Sequence, residues 1–122
     1  MRKLVLAAFL FVSTISTNSL ADIKMGIILG FTGPIESLTP AMAASAELAF
    51  KEASDSGKLL GGQKISVERA DSTCVDSAAA TAAAEGLVSG GVVAIMGADC
   101  SGVTGAIAVS YTHLTLPTTP YV

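Results

Sequence analysis

Ser101 and the pair Cys74 and Cys100 are the side chains of this sequence best placed to do chemistry. Ser101 follows a short apolar run and opens a helix-like stretch, where the first backbone N–H groups have no partner within the helix. Such a helix start attracts anions, so a carboxylate is a suitable ligand. A serine at this position can equally be a cap of its own helix, and the pattern alone leaves both interpretations open.

The two cysteines are 26 positions apart in a segment that we expect to be exported. An oxidising compartment favours their pairing, and a disulfide that closes a loop of this length contributes about 3.5 kcal/mol in the chain-entropy description. Two buried free thiols are the alternative. Neither cysteine has a histidine nearby at ligand spacing, so the sequence predicts no metal site and no cofactor.

The first 21 residues have the pattern of a secretory signal. Two basic residues precede the apolar run Leu4–Val12, and the segment ends in Ser19-Leu20-Ala21, with small residues at the two positions that a signal peptidase recognises. The alternative is a membrane anchor, but the apolar run has only about half of the roughly 20 residues that a spanning helix needs. We therefore predict cleavage after Ala21 and an exported protein.

Composition limits the class of the exported part. Hydrophobic residues make up 51% and charged residues 14% of the chain, which favours a packed core over disorder. After residue 21, five basic residues stand against ten acidic ones. This negative balance makes nucleic acid an unsuitable partner.

Hydrophobic patterning predicts alternating strands and helices. Thr39 and Pro40 are typical of an N-cap and a first helical residue, Gly57 of a helix stop, and Asp76 of a second N-cap. The predicted strands cover 23–29, 64–70 and 92–96, and the predicted helices cover 39–57, 77–89 and 101–109. The helical positions expected to face the sheet are Met42, Ala46, Ala49, Phe50 and Ala53, and then Ala79, Ala83, Gly86 and Val88.

This order predicts an α/β fold with a doubly wound parallel sheet of strand order 2-1-3. Ligands of such sheets bind beyond the carboxyl ends of the strands, where the strand order reverses, which here is between strands 1 and 3. The loops that leave these strands are 30–39 and 97–101. The candidate ligand-binding residues in them are Leu38, Asp99, Cys100 and Ser101, and a Cys74–Cys100 bridge would have to pass over strand 1.

Short motifs follow one another along the chain with family-like spacing: Ile23-Lys24-Met25-Gly26-Ile27, Thr32-Gly33-Pro34, Ala46-Glu47-Leu48-Ala49, Gly61-Gly62-Gln63-Lys64-Ile65, Asp71 with Cys74, and Gly97 with Cys100-Ser101. In this order they resemble leucine/isoleucine/valine-binding proteins, the type I periplasmic receptors of ABC transporters. The resemblance covers residues 23 to about 108 and implies a partial N-terminal lobe over residues 22–109.

The resemblance implies a disulfide between Cys74 and Cys100 and a Ser101 that binds the α-carboxylate of an amino acid. It also implies a membrane permease as the partner of the full-length receptor. Where many family members have an aromatic residue, this sequence has Leu38, which leaves the identity of the solute open. The second lobe and the hinge of the family are not in the sequence, so we expect a truncated chain that does not function as a receptor on its own.

Residues 110–122 contain threonines and prolines and no charge. Their composition differs abruptly from the alanine- and glycine-rich sequence before them and resembles translated sequencing-adapter read-through. We therefore predict a non-native tail that does not continue the helix. A genuine flexible terminus is the alternative.

Other functions have weaker support in the sequence. A serine hydrolase with Ser101 or Cys100 as nucleophile lacks a Gly-x-Ser-x-Gly elbow and a dependable histidine base. A dinucleotide-binding domain lacks the G-x-G-x-x-G pattern. A ligand-sensing ectodomain of the same fold, binding an amino acid, an amide or a urea-like solute, remains an alternative to the transport receptor.

Overall fold

Three parallel strands form the sheet of the computed structural model, which describes residues 22–59 and 61–114, with side chains as far as residue 110. The elements are β1 (Ile23–Leu29), α1 (Thr39–Asp55), β2 (Ile65–Asp71), α2 (Ser77–Ser89), β3 (Ala94–Gly97) and α3 (Ser101–Leu114). The strand order is β2-β1-β3, so the predicted α/β class and order are confirmed. The predicted signal, residues 1–21, lies outside the described residues.

The register of the sheet brings the carboxyl ends of its strands together. β1 pairs in parallel with β2 from Ile23 opposite Ile65 to Leu29 opposite Asp71. It pairs with β3 on its other side, where Ile28 stands opposite Gly97. All three loops that follow the strands therefore leave from one end of the sheet.

Successive side chains of β1 point to opposite faces of the sheet and form two separate cores. Ile28 packs with one layer of residues from α2 and α3, namely Ala80, Ala84, Leu87, Val103 and Ile107. Ile27 and Leu29 pack on the other face against Ala43 of α1. Because α1 and α3 each begin at the end of the sheet where the loops leave, the two cores fix the positions of both helix starts.

The buried faces of the helices agree only in part with those predicted: Ala46 and Phe50 of α1 pack against the core as expected. In α1, Ala43 is fully buried, whereas Met42 is 44% exposed. In α2 the buried residues are Ala80, Ala84 and Leu87, one position away from most of those expected. A stretch rich in alanine lacks the contrast in side-chain size that locates a helix face, so packing decided the rotation of α2.

The end of α3 also corrects a prediction. The helix continues to Leu114 and thus enters the segment 110–122, which we expected to interrupt it. Residues 115–122 lie outside the described residues, and the foreign origin of the tail stays a prediction. Within the part of the chain that the structure describes, no helix combines the length and the hydropathy needed to cross a membrane.

Candidate functional site

A disulfide between Cys74 and Cys100 crosses the end of β1. The two Cα atoms are 5.3 Å apart, and the bond joins the loop after β2 to the loop after β3. A Cβ atom added to Gly30, the residue after β1, would lie 3.2 Å from the Cβ of Cys74. The predicted bridge over strand 1 is thus confirmed, and the absence of a side chain at Gly30 lets it pass.

Ser101 is exposed and is the first residue of α3. The first intrahelical bond of α3 runs from the N–H of Thr104 to the carbonyl of Cys100 at 3.0 Å. The backbone N–H groups of residues 101–103 precede it, as at any helix start. The first turn of α3 holds no acidic residue. The structure therefore brings a hydroxyl and unpaired donors together at the open end of the sheet.

The carboxylate of Asp99 points away from the start of α3. Its oxygens accept from the N–H of Gly30 at 2.9 and 3.2 Å, and one of them lies 3.4 Å from the hydroxyl of Ser72. Asp99 is partly buried, and these contacts lie at the ends of β1 and β2. Asp99 stands two residues before Ser101 in the sequence, but its carboxylate bonds to the loops that follow β1 and β2.

Leu38 stands just before α1 and is 60% exposed. Thr39, predicted as an N-cap, begins the helix instead, because the residue before it already has a helical conformation and makes no side-chain cap. Its fully buried hydroxyl donates to the carbonyl of Gly30 at 3.1 Å. Thr39 therefore ties α1 to the end of β1, and the prediction of its capping role is wrong.

A cleft of about 580 Å³ opens between α1 and the ends of β1 and β3. Its apolar walls include Leu29, Met42 and Met96, and Asp99 lies at its edge. The exposed Leu38 stands one helical turn before Met42, so both present apolar surface along the start of α1. The cleft can accept an aliphatic group beside the loop that carries Ser101.

Asp71, the last residue of β2, organises the loop that leads to the disulfide. It accepts from the hydroxyl of Thr32 at 2.6 Å and from the N–H of Thr73 at 2.8 Å. Burial raises the pKa of this carboxyl, but the combined hydrogen bonds from Thr32, Thr73 and Phe31 outweigh burial, and the pKa lies below its ordinary value. The charged form of Asp71 is thereby favoured.

Thr73 and Cys74 both adopt left-handed backbone conformations, with φ of 56° and 68°. This region is costly for residues that have a side chain, and it persists where surrounding contacts fix it. Here the fixing contacts are the N–H bond from Thr73 to Asp71 and the disulfide. The loop is thus held in shape from both of its ends.

Sequence reasoning missed the roles of Ser72, Thr39 and Asp71. Each of them stands at the end of a strand or the start of a helix on the loop side of the sheet. Polar residues at strand ends are a usable pattern, since a parallel sheet collects them at one edge. Their bonding partners depend on loop paths, which the pattern does not specify.

Among the side chains that the structure describes, no nucleophile stands beside a base as in a hydrolase. Cys100 is in the disulfide and has no free thiol. The single histidine, His113, lies on α3 about 18 Å along the helix from Ser101. Among the described residues, no three histidine, cysteine, aspartate or glutamate side chains come together to hold a metal ion.

The fold is an α/β domain in which the loops after β1 and β3 leave side by side from one end of the sheet. The sequence matches the profile of the family described as periplasmic binding protein over residues 22–119. The chain belongs to this family of non-enzymatic solute-binding proteins, which confirms its resemblance to the type I receptors. Its ligand is a small molecule, and its family indicates the periplasm. No curated protein matches the chain.

Proposed function

We propose that the chain supplies the N-terminal part of the solute site in the substrate-binding component of an ABC transporter. The solute is a branched-chain or related amino acid, and the membrane permease is the partner of the complete receptor. Residues 1–21 direct export and are removed. The observation that carries the proposal is Ser101, exposed at an open helix start between the ends of β1 and β3.

A carboxylate is the group that this helix start suits best. The hydroxyl of Ser101 and the N–H groups that follow it are all donors, and the positive end of the helix dipole favours an anion. The disulfide at Cys100 joins this start to the loop after β2. Holding the donors in place before the solute arrives lowers the ordering cost of binding.

The cleft beside the helix start suits an aliphatic side chain. Met42 and Met96 line the cleft, and their thioethers adapt to irregular shapes; the exposed Leu38 lies one helical turn before Met42. Burying one aliphatic side chain contributes about 1.5–3 kcal/mol. A solute with a carboxylate and a branched hydrocarbon chain satisfies both parts of the site.

Binding without catalysis is part of the proposal. Ser101 has no described carboxylate or histidine within hydrogen-bond reach to act as a base, and Asp99 is directed to Gly30. Hydrolysis of an activated ester by the exported chain, abolished by Ser101→Ala, would contradict it.

Titration calorimetry with two solutes tests the proposal. The exported chain is titrated with L-leucine and with L-leucinamide, which keeps the side chain and the ammonium but has no carboxylate. We expect binding of L-leucine and at least about tenfold weaker binding of the amide, which corresponds to one charge-assisted interaction. Equal affinity for both would point to an amide-like solute, and binding of neither would reject the part of an amino-acid site that we assign to this chain.

A further inference from the structure

We propose that Asp99 is a positioning residue, which joins the exits of all three strands and thereby orients Ser101 without touching the solute. The inference rests on the proposed function, because it assigns a role to the residue that stands two positions before the proposed carboxylate site. It rests also on contacts that exist without any solute.

The first contact fixes the exit of β1. Both oxygens of Asp99 lie within hydrogen-bond distance of the N–H of Gly30, the first residue after the strand. The carbonyl of Gly30 accepts from the buried hydroxyl of Thr39. The peptide groups on both sides of Gly30 are therefore held, one from the loop after β3 and the other from α1.

The second contact fixes the exit of β2. The hydroxyl of Ser72 lies 3.4 Å from an oxygen of Asp99, and Ser72 is fully buried. The N–H of Ser72 donates to the carbonyl of Leu29 at 2.9 Å. Asp99 thus connects to Ser72, which is itself bonded to Leu29, the residue before Gly30, across the ends of β1 and β2.

The third connection is covalent, since Asp99 belongs to the loop between β3 and α3. The entry to this loop is tightly set: Gly97 has φ of +126°, and a Cβ atom there would lie 1.9 Å from the carbonyl oxygen of Ile28. With Gly97 fixed on one side and Asp99 anchored to Gly30, the path to Ser101 has little freedom. The start of α3 therefore takes its direction from the anchored carboxylate.

Electrostatics argues against direct contact between Asp99 and the proposed solute carboxylate, because two negative charges at short range repel. A contact with the solute ammonium is the competing role. In that role the carboxylate of Asp99 would bind the solute ammonium. In the positioning role the same carboxylate binds the N–H of Gly30. The two roles predict different responses to the removal of the ammonium.

The experiment uses Asp99→Asn in the exported chain and two solutes, L-leucine and 4-methylpentanoate, which has the same carboxylate and branched chain but no ammonium. A positioning role predicts that both affinities fall by the same factor, about tenfold, as expected for one charged hydrogen bond. Ser72→Ala, which removes one of the two partners, should weaken both by a smaller common factor. A loss confined to L-leucine would overturn the proposal, as would unchanged affinity for both solutes.

Backbone amide spectra without solute provide the second readout. In Asp99→Asn the amide proton resonance of Gly30 should move upfield and that of Ser101 should shift with it, because the charged acceptor is lost. Unmoved resonances of Gly30 and Ser101 would contradict the positioning role even if no solute binds. If the wild-type chain binds neither solute, the proposed function fails, and these spectra still decide whether Asp99 sets the loop. Should Asp99→Asn fail to fold, Ser72→Ala keeps the carboxylate but removes its second partner, and it should move the same two resonances by a smaller amount.

Discussion

Helices α2 and α3 begin at the same end of the sheet, and each has a serine as its first residue, Ser77 and Ser101. At α2, the side chain of Asp76 accepts from the N–H groups of Ala78 and Ala79 at 2.9 and 3.0 Å. At α3, the nearest aspartate, Asp99, bonds to Gly30 instead. One helix start is thus capped by a carboxylate directly before it, and the other has no described carboxylate on its N–H groups, which suits the proposed solute carboxylate.

The difference shows why a helix start alone does not define a binding site. The donors and the dipole are common to both helices, but only α3 leaves them accessible at the point where the strand order reverses. The position of the aspartate decides whether the helix start is capped. Asp76 directly precedes α2 and caps it, whereas the carboxylate of Asp99 is bonded to Gly30.

Loss of the disulfide, which holds the loop before α3, should have the largest effect on stability. Replacing Cys74 and Cys100 by serine should lower the free energy of unfolding by about 3.5 kcal/mol, since the unfolded chain regains the entropy of the loop. Urea unfolding measures this loss, and hydrogen exchange should show more opening at the start of α3 than in the middle of α2. Unchanged stability on reduction of the wild-type chain would contradict the structural role of the bond.

Removing the cap of α2 should affect stability but not the solute. Asp76→Ala should lower the free energy of unfolding by about 1 kcal/mol, because two helical N–H groups lose their acceptor. Asp76→Asn is the matched control and should cost only a few tenths of this, since asparagine also caps well. A large fall in L-leucine affinity in either folded variant would mean that the two helix starts are not functionally distinct.

Asp71 should make the loop leading to α2 sensitive to acid. Its pKa in the folded chain is lowered from the ordinary value of about 3.9, so its contribution is present above that pH and is lost as the pH falls through the lower folded value. Asp71→Asn should cost about 1 kcal/mol at neutral pH and should flatten the decline of stability below about pH 4. Urea unfolding of both chains from pH 3 to 6 measures this, and parallel curves would contradict it.

Replacing either of two glycines of α3 should have the smallest effect on stability. An added Cβ at Gly102 or at Gly105 meets nothing within 4 Å, so alanine at either position should raise the free energy of unfolding by about 0.5 kcal/mol. Only Gly102→Ala places a methyl group beside the open N–H groups, and only it should weaken the binding of L-leucine. Equal affinities of the two variants would move the solute away from this helix start.

The sequence predicts the elements and the strand order well, because apolar runs, glycine stops and the proline at residue 40 are local features. It predicts the disulfide because the two cysteines stand in a chain predicted to be exported, and each has one possible partner. It does not predict the rotation of α2, since alanine on every side leaves the choice to packing. Nor does it predict the bond of Asp99 to Gly30, which depends on loops brought together by the sheet.

The exposed serines of the two helix starts give the most direct measurement. Ser101→Ala and Ser77→Ala each remove one hydroxyl from the first residue of a helix, and both chains are titrated with L-leucine by calorimetry. We predict that Ser101→Ala weakens binding about tenfold, the equivalent of one hydrogen bond to a charged group, and that Ser77→Ala binds as the wild type does. Wild-type affinity in Ser101→Ala, or an equal loss in both variants, would contradict the assignment of the solute carboxylate to the start of α3.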